Sequence, residues 1–137
     1  MGFEQYAYAA YKRGERRKYW DGISFNKKTG LREFNHPEPH EISYWRKHRQ
    51  LQSWMDDLWI EKGKPFENPD ADPVWGPTFN GVELELTWND IQRLEDYIKD
   101  PDNIWDSSYK EEDLQFCLDA KEQLFLYRKR VFYYPSW

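Results

Sequence analysis

The stretch Glu41-Ile-Ser-Tyr-Trp-Arg-Lys-His-Arg-Gln-Leu-Gln-Ser-Trp-Met-Asp-Asp-Leu-Trp59 holds three tryptophans, a tyrosine, four basic or imidazole side chains and two aspartates. Its reading decides the fold. Trp45, His48, Leu51, Met55, Leu58 and Trp59 recur at spacings of three, three, four, three and one, the stripe of an amphipathic helix. The spacing predicts a helix from Ser43 to Lys62, stopped by Gly63 and Pro65. Arg46, Lys47, Arg49, Gln50, Asp56 and Asp57 fall largely on the opposite face, and Trp54 extends the stripe toward its edge.

Strand signals flank this helix. "FEQYAYAAY" (3–11) is rich in tyrosine and alternates loosely, which predicts an N-terminal strand. "YWDGISFNKKTGLREF" (19–34) reads as a hairpin whose Gly30 suits a left-handed turn position. "NHPEPH" (35–40) is extended, since each proline restricts the residue before it. Residues 64–81 carry four prolines and no periodicity, a long loop pinned by Trp75 and Phe79.

Beyond the loop, "VELEL" (82–86) alternates, with Val82, Leu84 and Leu86 on one face. Thr87 with Asp90 forms a capping box that opens a second helix, its inward set Trp88, Ile91, Leu94 and Ile98, ending before Asp100-Pro101. Ser108 with Glu111 predicts the cap of a third helix, with Leu114, Cys117, Leu118, the Lys121 stem, Leu124 and Phe125 inward. "VFYYPSW" (131–137) closes the chain as a strand. The expectation is one α+β domain over 1–137: a small, mostly antiparallel sheet of N-terminal strand, hairpin, central strand and C-terminal strand, with three helices packed on it.

Composition narrows the function classes. A mean hydropathy of -1.09 and a charged fraction of 33% suggest disorder, but 19% aromatic residues supply the apolar area for a core. No apolar run reaches membrane-spanning length and no signal-peptide core opens the chain, so the expected location is the cytoplasm. The single cysteine, Cys117, excludes an internal disulfide and a cysteine-rich zinc site. The net charge of -5 is uneven: residues 1–50 hold eleven Lys/Arg against six Asp/Glu, residues 51–126 six against nineteen, and Arg128, Lys129 and Arg130 follow. Were the chain ends adjacent, their basic groups would form one positive face for an anion, a nucleic acid or an acidic protein; a scattered solvated surface is the alternative.

Catalytic signatures are absent. The chain has neither a P-loop nor GxGxxG, and "GISFN" lacks the closing glycine of a nucleophile elbow. His36, Glu38, His40 and Glu41 crowd together, but Pro37 and Pro39 prevent the helix that would converge them on a metal. "ENPDADP" lacks the spaced ligands of a calcium loop. No cofactor or metal is expected. Basic and aromatic residues interleave in "YWRKHR" (44–49) and "YRKRVFYY" (127–134), the pattern by which proteins stack bases and hold phosphates, or else a core stripe with solvated charges.

"MGFEQYAY", "YWRKHRQLQSWM", "FNGVELELTWNDIQRLEDYI", "YKEEDL" and the terminal "YYPSW" together resemble a family of small, functionally uncharacterised proteins of tailed bacteriophages and bacterial prophages. Its members pair a Met-Gly-Leu-Asp-like start with a Tyr-Trp-Arg-Lys helix and a closing Ser-Trp. Where many relatives have a Phe-Phe-Phe-Gly-like segment, this chain reads "DNIWDSSYKEEDL". The resemblance implies a phage context and marks Tyr44, Trp45, Arg46, Lys47, Trp54, Tyr109, Asp113, Ser136 and Trp137. With His48 and Arg49 from the interleaved stretch, these are the candidate ligand- or partner-binding residues. Arg46 is expected to pair with Asp113, with Tyr109 and Trp137 in the same cleft, as a polar clamp or as a site.

The functional expectation is a non-catalytic binding protein, a phage accessory or host-takeover factor. It would bind a host protein or a small anionic ligand such as a nucleotide in the infected bacterial cytoplasm, with an anti-defence role as one version. The alternatives are a virion-associated structural protein and, third, a small nucleotide-processing hydrolase. Nucleic acid is a less favoured partner, a membrane is not expected, and a homo-oligomer is open.

Overall fold

In the computed structural model, residues 2–14, 23–26, 28, 30–34, 40–68 and 79–137 are described. The elements in chain order are β1 (Glu4–Ala10), β2 (Ile23–Asn26), β3 (Leu31–Phe34), β4 (His40–Arg46), α1 (Arg49–Glu61), β5 (Leu84–Leu86), α2 (Trp88–Lys99), α3 (Lys110–Phe125) and β6 (Arg130–Ser136). Four strands form an antiparallel sheet in the order β4-β1-β6-β5, and β2 pairs with β3 as a separate hairpin. Gly30 takes a φ of +73° beside that hairpin, the left-handed conformation its turn requires. The α+β expectation holds. The 35–39 segment, with His36 and Glu38, and Trp75 lie outside the described residues.

β1 and β6 are the inner strands, and each buries both faces. Gln5, Ala7 and Ala9 of β1 and Val131 and Tyr133 of β6 face the helices, while Tyr8, Ala10 and Phe132 form a second buried cluster on the opposite face. Alanines on β1 let the helix layer sit close, and the large rings of β6 and β4 fill the space between. Tyr8 and Phe132 stack with centroids 5.3 Å apart.

The opening stretch folds as two elements. Residues 40–46 are strand β4, paired with β1 through Gln5↔Trp45, Tyr6↔Tyr44 and Ala7↔Ser43, with a bulge before Tyr8↔Glu41. Only from Arg49 does the chain become helical. The predicted start at Ser43 is therefore corrected by six residues. The burial pattern could not separate the two readings, because Trp45 points inward in either; the aromatic and β-branched run Ile42-Ser43-Tyr44-Trp45 suits a pleated strand once β1 is there to pair with it. Between strand and helix, Lys47 takes a φ of +58° and its N–H donates to Phe3 O at 2.9 Å. The helix stops as expected, with Gly63 at a φ of +86°.

The second helix follows its capping box: Asp90 N–H donates to Thr87 Oγ1 (3.2 Å) and Thr87 N–H to Asp90 Oδ2 (2.8 Å). Ile91, Leu94 and Ile98 are buried, but Trp88 is exposed. It is the first helical residue, at the edge of the stripe, where it meets Phe125 edge-on and Lys121 from above its ring.

The third helix departs most from expectation. Its buried residues are Asp113, Phe116, Cys117 and Ala120, with Leu114 and Leu124 partly buried against the core; Leu118 and Phe125 point outward. Apolar residues lie on every side of this helix, so hydrophobicity alone could not fix its rotation. Ser108 is not its cap: Tyr109 precedes the helix without a side-chain bond, and Ser108 N–H donates to Asp106 Oδ1. Among the described residues, no helix is long and apolar enough to cross a membrane.

Candidate functional site

Three places gather the chemistry-bearing side chains. The first is a sealed polar network centred on Asp113, which is fully buried on the first inward turn of α3. Its Oδ1 accepts from Trp45 Nε1–H (2.8 Å), and its Oδ2 from Trp105 Nε1–H (2.7 Å) and His48 Nε2 (2.6 Å). The indole nitrogens can only donate, so the carboxylate is the common acceptor. Hydrogen bonds to an ionised acceptor are each worth about 1.5–3 kcal/mol, and here they offset the cost of removing the carboxylate from water.

His48 is equally enclosed. Its Nδ1 accepts from Leu51 N–H at 3.4 Å, capping α1, which leaves the proton on Nε2 for Asp113. Tyr109 stacks on the imidazole at 3.9 Å with rings 11° from parallel, and Trp105 stands edge-on to it at 5.7 Å. A buried His-Asp pair suggests acid-base catalysis, but a catalytic imidazole needs one nitrogen turned to substrate. Here both nitrogens are committed and the ring is 1% exposed.

The network continues through Gln5. Its Oε1 accepts from His48 N–H (2.8 Å), while its Nε2 donates to His48 O (2.9 Å) and to Tyr133 Oη (2.8 Å). Tyr133 in turn donates to Gln52 Oε1. Burial pushes the Tyr133 phenol well above its ordinary pKa, and the bond from Gln5 opposes that only in part. Strands β1, β4 and β6 are thus tied to α1 and α3 by one chain of polar contacts.

The expected Arg46–Asp113 pair is not formed. On strand β4 successive side chains alternate, so Trp45 reaches Asp113 while Arg46 projects to the outside, where its charge acts on Glu4. Arg46 contributes to the cluster only its carbonyl, which accepts from the Tyr109 hydroxyl at 3.3 Å. Trp137 packs edge-on against Phe3 (5.5 Å) and is held by Asn80 through both its N–H and its C=O. Lys47 and Arg49 are exposed.

Among the described residues, the basic groups of the two chain ends meet only in part: Arg13 lies close enough to Arg130 to feel its charge, whereas Arg46 stands apart from both. β1 is antiparallel to both β4 and β6, so Arg46 lies beside Glu4 and Arg130 beside Ala10, at opposite ends of a seven-residue strand about 20 Å long. Arg130 is moreover paired with both carboxylate oxygens of Glu85 (2.9 and 2.8 Å), and Lys129 sits over the Tyr11 ring.

The second place is a cavity of about 430 Å³ between β4 and α3, lined by residues 41–44 and by Glu112, Gln115, Phe116 and Asp119. β4 ends the sheet, and among the described residues no strand pairs with its outer edge. Tyr44 lines this cavity and donates to Glu4 Oε1 at 3.1 Å. The third is a groove of about 520 Å³ between α1 and α2, where Trp54, Tyr97 and Trp105 meet Asp57, Glu61 and Arg93.

Of the predicted residues, Trp45, His48, Tyr109 and Asp113 are therefore brought together, and Tyr44 and Trp54 enter separate cavities. Sequence reading missed Trp105, Gln5, Gln52 and Tyr133. Gln5 had a signal, because a glutamine two residues before Ala7 and four before Ala9 interrupts an otherwise apolar face. Trp105 had none, lying in an irregular segment.

The remaining reactive groups are quiet. Burial pushes the Cys117 thiol up to about 12, so it stays protonated and a poor nucleophile. Among the described residues, no group of His, Cys, Asp and Glu is arranged to hold a metal ion. No family model matches the chain, and neither a curated protein nor a solved structure matches it.

Proposed function

We propose that the protein is a non-catalytic binding protein that takes a basic, extended segment of a partner protein along β4. The observation that carries this reading is the cavity at the outer edge of β4, whose charged lining residues are Glu41, Glu112 and Asp119. An extended peptide at a sheet edge gains main-chain hydrogen bonds, and the flanking helix supplies selectivity. Glu112 and Asp119 on that helix, with Glu41 on the strand, select lysine or arginine side chains. The bulge at Ile42 and the charged ends of β4 discourage pairing with unselected strands, a common protection of an exposed edge.

The commitment of both His48 nitrogens supports binding rather than catalysis. Neither cavity is lined by clustered basic groups, so the acidic linings favour a basic partner over an anionic ligand such as a nucleotide. In the phage setting that the sequence resemblance implies, the partner is a host protein and the role that of an accessory factor in the infected cell.

The test is a panel of labelled extended peptides, basic and acidic, measured by fluorescence anisotropy, with amide hydrogen exchange on the complex. Basic peptides should bind, the β4 amides should slow their exchange, and a Glu112→Lys/Asp119→Lys variant should weaken binding at least about tenfold, the loss of two close charge pairs. Binding that ignores the charge reversal, or leaves β4 exchange unchanged, would refute this reading.

A further inference from the structure

The α1–α2 groove carries a site of different chemistry. Tyr97, on the outer turn of α2, stands edge-on to Trp105 with ring centroids 5.9 Å apart and planes 79° apart. Trp105, 6% exposed, forms the floor beneath Tyr97, and Trp54 from α1 lines the same groove. Trp105 cannot swing away, because its indole N–H is fixed to Asp113 at 2.7 Å and the 104–106 segment is held by Gln50, which donates to Ile104 O and accepts from Asp106 N–H. Tyr97 is 40% exposed, so one wall is open to a ligand.

The charge around the groove is negative. Asp57 is exposed at the groove, and no cationic side chain of the described residues pairs with it. Arg93, the one lining cation, is neutralised by a two-point pair with Glu61 (3.1 and 3.0 Å). Aromatic faces attract a cation through their quadrupoles, and a nearby carboxylate adds a direct charge interaction.

We propose that the groove between α1 and α2 binds an alkylammonium cation against Trp54, Tyr97 and Trp105, with Asp57 as counter-charge. Both a free quaternary amine and a methylated lysine side chain present that group. This site does not depend on the β4 edge, and its test uses different residues.

The measurement is an NMR titration of the full chain with choline and, in parallel, with 3,3-dimethyl-1-butanol, which replaces the ammonium nitrogen by carbon at nearly constant shape. Choline should shift the side-chain resonances of Trp54 and Tyr97 and bind about tenfold or more tighter than the alcohol, a ratio in the range of exposed cation–π and charge contributions combined. Asp57→Asn, at an exposed position, should erase most of that ratio with an unchanged melting temperature, and Trp54→Ala should abolish the Tyr97 shifts in a chain that stays folded but melts lower, since Trp54 packs against the core. A trimethyl-lysine peptide separates the sources: much tighter binding than choline assigns the site to a protein side chain, and equal binding assigns it to a free amine. Equal binding of choline and its neutral isostere would overturn the proposal, as would no shift with choline up to about 100 mM, weaker than a millimolar contact by two decades.

Discussion

The Asp113 network and the α1–α2 groove are built from the same ingredients and behave in opposite ways. Each places a carboxylate among tryptophan and tyrosine rings. In the network, Asp113 is fully buried and accepts three hydrogen bonds, so its valences are filled from within. In the groove, Asp57 is exposed, and Trp54, Tyr97 and Trp105 line the same surface. Trp105 belongs to both: its indole N–H serves Asp113, and its ring lines the groove. A saturated carboxylate makes a clamp, an unsaturated one a contact for something else. The residues that look most catalytic on paper, His48 and Asp113, are those least available to a substrate.

The comparison breaks first at Asp113. Asp113→Ala would leave two indole N–H groups and the His48 ring without an acceptor in the core. A cost of about 3–5 kcal/mol is expected, since removing one partner of a buried charged cluster orphans the others. Urea unfolding monitored by tryptophan fluorescence measures it; a loss below about 1 kcal/mol, the worth of one ordinary hydrogen bond, would mean the network is not the clamp described. Because Trp105 is shared, choline binding should weaken in Asp113→Asn even where the fold survives.

Gln5→Ala comes next. It removes the acceptor for His48 N–H and the donor to Tyr133 Oη and His48 O, all buried. About 2–3 kcal/mol is expected, the cost of orphaning neutral rather than charged partners plus a small cavity. Slower loss of hydrogen-exchange protection in α3 than in β1 and β4 would locate the damage on the strand side, as the bonding pattern requires.

These residues also mark what was legible beforehand. The strands at both ends, the hairpin, the capping box at Thr87 and the stop at Gly63 were readable because each has a local cause: alternation, turn chemistry or a cap. The stretch 41–59 was misdivided because Trp45 and His48 are buried by pairing with β1 and by α3, contacts more than forty residues away in sequence. The pattern identified correctly that they were inward and wrongly inferred that one helix placed them. The rotation of α3 was unreadable for a related reason: its buried face is set by a charged residue, Asp113, whose burial makes sense only once Trp45, Trp105 and His48 are seen to supply its donors. Arg46 was assigned to Asp113 on charge alone, and strand alternation overrules charge.

A smaller effect, of opposite sign, belongs to the groove side. Burial, and then the charge of Asp57, raise the Asp56 carboxyl to about 6 from an ordinary value of 3.8. Between those two pH values the folded state binds the proton more tightly than the unfolded chain, so stability falls as pH rises through the window. At pH 7 the penalty is complete, and below about pH 4 it vanishes. Asp56→Asn should therefore stabilise the protein by about 1 kcal/mol at pH 7, the shift being discounted for a half-exposed group, and by nothing near pH 3.5. Melting curves at the two pH values check this; an equal gain at both would assign the effect to something other than ionisation.

The smallest expected effect is the most pointed. Arg46→Ala should change stability by less than about 0.5 kcal/mol, the usual range for a surface substitution. Its guanidinium stands on the outer face of β4, and its one contribution to the cluster, the carbonyl that accepts from Tyr109, survives the truncation. Were Arg46 instead the partner of Asp113, the same substitution would strand a buried carboxylate and cost several kcal/mol. One melting curve thus separates a clamp built on His48 and two indoles from one built on an ion pair. An unchanged melting temperature for Arg46→Ala beside a collapsed one for Asp113→Ala is the result that the bonding pattern demands.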